Sequence, residues 1–109
     1  MKLEAINTGE AKPLDSGAID ITIAGYLADA AAGDVAALFN LGVAYSTGSG
    51  TVECDLVEAH KWFNIAASLG HTEAAWARAD VADEMTLREI HEAQRRARSW
   101  LIQDQRKVA

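Results

Sequence analysis

The chain has 109 residues, half of them hydrophobic, with one Pro and one Cys; this suits one domain, is too short for two, and leaves no internal disulfide. Ten Lys and Arg against sixteen Asp and Glu give a net charge of −6, a balance that disfavours nucleic acid, whose phosphates need a basic face. The charge is uneven: residues 1–60 hold two Lys against nine acids, whereas residues 61–109 hold eight bases against seven acids.

Ala leads the apolar residues; Ala, Leu, Glu and Arg favour helix and strand formers are thin, so the expected class is all-α. Residues 1–14 mix charge with Gly9 and Pro13 without a period and read as an N-terminal arm or tail. The first ten residues lack the apolar run of a secretion signal, and no segment approaches the roughly 20 apolar residues of a membrane span. With the single Cys54, these features make the cytoplasm the expected compartment and direct membrane insertion unexpected.

Five helices are expected over 15–109. The first runs from about Asp15 to Ala32, with Ile19, Ile23, Tyr26, Leu27 and Ala30 at helical spacing and Gly33 as its stop. The second, about Asp34–Thr47, has Asp34 as N-cap and Ala37, Leu38, Leu41, Val43, Ala44 and Tyr45 as apolar surface. The third, about Asp55–Leu69, opens with Asp55 and Glu58 in the pattern of a capping box. Its Leu56, Ala59, Trp62, Phe63, Ala66 and Ala67 share a face, and Gly70 ends it. The fourth, about Thr72–Asp83, offers Ala75, Trp76, Ala79 and Val81. The fifth, about Thr86–Gln105, starts with a second capping box, Thr86 and Glu89, and carries the stripe Ile90, Ala93, Ala97, Trp100 and Leu101.

A shift of 37 residues superposes Gly33 on Gly70, Ala30 on Ala67, Ala37 on Ala74, Tyr26 on Phe63 and Phe39 on Trp76. A period of this size built from two helices implies stacked hairpins, because one hairpin alone cannot bury its apolar faces. Ala37, Gly42, Ala66, Ala67 and Ala74 let helix backbones approach, and Tyr45, Trp62 and Phe63 fill the space.

The run from Gly33 through Ala37, Leu41-Gly42, Tyr45, Gly48-Ser49-Gly50, Val52, Asp55, Ala59, Trp62, Ala66-Ala67 and Gly70 to Ala74 resembles the Sel-one-like repeat (SLR) family of tetratricopeptide-like α/α solenoids. One full repeat is covered, about residues 34–69, with degenerate repeats on both flanks. Gly25 stands where the pattern would place an aromatic equivalent to Trp62, and the glycine loop is missing after the fourth helix. The last helix resembles the terminal cap of short bacterial members. The resemblance implies a short α/α solenoid of antiparallel hairpins and a non-catalytic adaptor or scaffold that binds a partner protein or peptide. No cofactor is implied.

On that analogy the second and fourth helices line a concave face. Phe39, Asn40, Val43 and Ser46 on one, with Glu73, Trp76 and Asp80 on the other, are the candidate groove residues. Phe39 and Trp76 read either as peptide anchors or as core, and their solvent exposure separates the two. An alternative is an accessory or regulatory subunit of a larger enzyme or membrane-bound complex. It would dock through the convex side or through Arg95 and Arg98 of the last helix. Partly apolar end faces also make self-association an expectation.

His60, His71 and His91 lack metal-ligand spacing, so no metal site is expected; His60 is expected on the exposed side of its helix and His71 in a loop. Cys54 has no flanking His and reads as passive. Gly48-Ser49-Gly50 lacks the Lys and the preceding strand of a phosphate loop.

Overall fold

A computed structural model describes residues 21–108. Five α-helices follow one another, α1 (Ile21–Ala31), α2 (Val35–Thr47), α3 (Leu56–Ser68), α4 (Thr72–Ala82) and α5 (Leu87–Val108), and no strand occurs among the described residues. The architecture is that of the all-α helical-hairpin stack expected from the sequence. The arm expected over 1–14, and the helix start at Asp15 or Ser16 with Ile19, lie outside the described residues.

The helix ends have local causes. Asp34 caps α2, its carboxylate accepting the Ala36 N–H at 3.0 Å. Gly48 follows α2 with φ 73°, a left-handed conformation that Gly adopts without strain. A Cβ there would also press on the Cys54 backbone nitrogen. The loop closes where the Asp55 N–H donates to the Tyr45 carbonyl at 2.9 Å.

That bond explains a difference from expectation at α3. The Asp55 carboxylate accepts the Glu58 N–H at 3.1 Å, but the Asp55 N–H is already taken by Tyr45, so only half of the expected capping box forms. The Thr86–Glu89 box is complete: the Thr86 N–H donates to Glu89 at 2.8 Å and the Glu89 N–H to the Thr86 hydroxyl at 3.1 Å.

Packing explains the apolar pattern of each helix. α2 lies between α1 and α3, so it buries residues on two sides, Ala37, Leu38, Leu41, Gly42 and Ala44. The ring of Phe63 from α3 sits against Gly42, where a Cβ would occupy the ring's own space. α3 is the centre of the stack, in contact with α2, α4 and α5. It buries Ala59, His60, Trp62, Phe63, Ile65 and Ala66. Burial of large rings such as Trp62 and Phe63 stabilises by roughly 1.5–3 kcal/mol each relative to exposure.

α4 buries only Ala74 and Val81. The fourth helix therefore turns a different face inward than its sequence suggests: Ala77 packs against the core, while Ala79 and Trp76 are exposed. The cause is the position of α5. Without a glycine loop, the short turn after α4 sends α5 across α3, and α5 packs scarcely at all on α4. Ala93 and Ala97 of α5 are buried, and Met85, Trp100 and Leu101 pack against the core. At the other end of the stack Gly25 has open space beside it, so an aromatic there would face solvent.

Candidate functional site

α2 and α4 meet at one ring stack. His71, the residue before α4, accepts the Ala74 N–H on Nδ1 at 3.1 Å and so caps that helix. Its imidazole stacks on Phe39 with centroids 4.6 Å apart, and Phe39 in turn tilts against Phe63 at 5.5 Å. Phe39 is half-buried by these neighbours. His71 therefore has a structural role that its place in a loop did not reveal.

Trp76 is 68% exposed. Glu73 and Asp80, three residues before and four after it, are exposed as well, and helical spacing sets all three on one stripe. The solvent-exposure criterion thus separates the two rings: Trp76 lies outside the core, and Phe39 contributes to it while keeping part of its surface in water.

Asn40 and Val43 point elsewhere. They line a cleft of about 380 Å³ between α2 and α1, together with Ile23, Tyr26 and the Ser49-Gly50 turn. Ser46 is half-buried, and its hydroxyl donates to the Val43 carbonyl at 2.9 Å. Six of the seven groove candidates are consequently distributed over an aromatic junction, an acidic tryptophan stripe and the α1–α2 cleft, and Ser46 spends its hydroxyl on its own helix.

The two arginines of the alternative surface also part company. Both are exposed, but Arg95 donates to Glu92 from Nε at 3.0 Å and Nη2 at 2.6 Å. Glu92 receives Arg96 too, at 2.7 Å, and these hydrogen bonds hold its carboxyl down near 2. Arg96 continues to Glu58 of α3 at 2.8 Å, and Lys61 joins Glu58 at 2.9 Å. This network ties α5 to α3, and sequence spacing missed its long arm because Glu58 and Arg96 are 38 residues apart.

His60 is a correction. The helix face on which it was expected is the core, because α3 is covered on several sides; His60 is 3% exposed and its Nδ1 has no hydrogen-bond partner. Burial, and then the charge of Arg78, hold its pKa below the ordinary histidine value. Arg78 itself donates to Asn64 at 2.7 Å.

Cys54 is exposed, with Sγ 3.5 Å from the Ser46 carbonyl. Among the described residues no group of three His, Cys, Asp or Glu side chains is placed to hold a metal ion. No described helix is long and apolar enough to cross a membrane.

The paired helices, the left-handed glycine after α2 and the small-on-aromatic contact at Gly42 define a helical-repeat module. Residues 35–71 match the model of the Sel1 repeat, with α2 and α3 as the matched hairpin. No curated protein and no solved structure matches the chain. Sel1 repeats are generally protein–protein interaction modules and typically non-catalytic.

Proposed function

We propose that this protein is a non-catalytic adaptor that holds a partner protein or peptide against the α2–α4 side of its stack. The observation that carries this reading is Trp76, a large ring left in water between Glu73 and Asp80. An exposed indole ringed by acids suits an apolar partner residue with a basic neighbour, and such aromatic anchors dominate interface energies. Phe39 supplies a second apolar surface beside the His71 stack; Asn40 and Val43, which line the cleft against α1, are not part of this face. Binding is passive: the helices are already packed, so little conformational entropy is lost on association.

A photo-crosslinking side chain at position 76 tests the reading. Covalent capture of one defined partner, competed by unlabelled wild-type protein, supports it. Capture from position 98 alone favours the second reading, an accessory subunit docking through Arg95 and Arg98 of α5; that reading draws on the concentration of arginine in this helix. Self-association through the same faces would appear as crosslinked homodimer. The exposed, unpaired Cys54 fits a reducing compartment such as the cytoplasm.

A further inference from the structure

A second cleft, of about 190 Å³, opens between α3 and α5 and is lined by Lys61, Arg95, Arg96, Ser99, Trp100 and Gln103. Its walls combine three cations, two neutral hydrogen-bonding side chains and one aromatic face. Trp100 is half-buried and meets Trp62 edge-on at 6.0 Å, and Lys61 Nζ lies 4.0 Å from the centre of the Trp62 ring. These contacts fix both the aromatic wall and the ammonium beside it.

The charges of the cleft do not balance. Lys61, Arg95 and Arg96 share only two carboxylates, Glu58 and Glu92, in the ion pairs they make among the described residues. Each guanidinium has five N–H donors, and Arg95 and Arg96 each use two donor nitrogens in these pairs. A third carboxylate entering the cleft would meet preorganised donors and complete the network at three against three. The chain as a whole carries −6, so a local cationic cleft is an exception to its field rather than part of a basic surface.

We propose that this cleft binds an acidic segment of a partner protein, seating one carboxylate among Lys61, Arg95 and Arg96 and an adjacent apolar side chain on Trp100. The site lies on α3 and α5, away from Trp76, and stands or falls independently of the α2–α4 face. A protein segment is favoured over nucleic acid because the cleft offers one excess charge and the rest of the molecule repels a polyanion.

The test is an NMR titration of the ¹⁵N-labelled full chain, following the Trp100 indole and the arginine Nε–H signals. The probe is an acetylated hexapeptide of alternating Glu and Leu, with its Lys-Leu counterpart and a dT20 oligonucleotide as comparisons. The acidic peptide is expected to shift the Trp100 and Arg95 signals saturably, and the Lys peptide to leave them in place. Gln103→Glu places a carboxylate at the cleft without touching the core and is expected to weaken binding at least fivefold, as is Lys61→Gln. Arg98→Glu, on the same helix outside the cleft, is expected to change it less than twofold. The proposal is overturned by an absence of shifts, by tighter binding of dT20, or by equal losses from Arg98→Glu and Gln103→Glu, which would mark a diffuse charge effect. It is also overturned if Gln103→Glu alters only the oligomeric state in sedimentation, which would make the cleft a contact between copies.

Discussion

Gly42 of α2 and Phe63 of α3 occupy one shared volume: the ring lies where any side chain at position 42 would begin. This contact sets how closely the two helices of the repeat approach. Gly42→Ala is therefore expected to destabilise the protein by about 1–3 kcal/mol through overpacking, even though Ala is the better helix former. Denaturant unfolding of the variant, and of Gly42→Ala combined with Phe63→Leu, checks it. The second change frees space at the ring and is expected to recover part of the loss.

Buried His60 makes stability depend on pH. Its folded pKa is held below the ordinary value, so the unfolded chain binds the proton first as pH falls. Stability from this group is complete above about 6.5, the unfolded value, and is lost as pH drops from there toward the folded value. His60→Leu removes both the titration and the unpaired Nδ1. The expected result is a flatter stability profile between pH 7 and 5 and no loss at pH 7 beyond about 1 kcal/mol. Denaturant melts at several pH values read this directly, and an unchanged profile would assign the pH dependence to other groups.

The Glu58–Arg96 pair joins α3 to α5 at 2.8 Å across a partly exposed surface. A double-mutant cycle with Glu58→Gln and Arg96→Gln is expected to give a coupling of about 0.5–1 kcal/mol, as for other solvent-screened pairs. Raising the salt concentration is expected to reduce it. Glu58→Gln leaves the Asp55 cap of α3 in place, because that bond uses the backbone N–H of residue 58.

Much of this fold is legible in the sequence, for reasons local to particular residues. Asp34, Gly48, Gly70 and the Thr86–Glu89 box mark helix ends through hydrogen bonds within a few residues. Gly42 and the aromatic positions of α3 announce close packing because only small-on-large contacts fit there. The inward face of α4 was not legible. It depends on α5 crossing α3, and no pattern within residues 72–82 encodes that placement. The same is true of His60, whose polar character points outward while its position on the central helix places it inside.

The candidate site is legible only in part. The helical stripe of Glu73, Trp76 and Asp80 follows from spacing, and Trp76 is in solvent as an anchor requires. Asn40 and Val43 face a cleft whose other wall is α1, a neighbour that helical spacing within α2 does not name. Lys61, Trp100 and Gln103 come together only once α3 and α5 are packed.

Trp76→Ala is the most direct measurement of the adaptor account, because this ring is two-thirds exposed and its removal leaves the core untouched. With the partner captured from position 76 in hand, calorimetric titration is expected to show an affinity at least tenfold weaker for the variant, while its thermal unfolding stays within a degree or two of wild type. An unchanged affinity for Trp76→Ala, alongside a loss for Arg95→Glu with Arg98→Glu, would contradict the account and move the binding surface to α5.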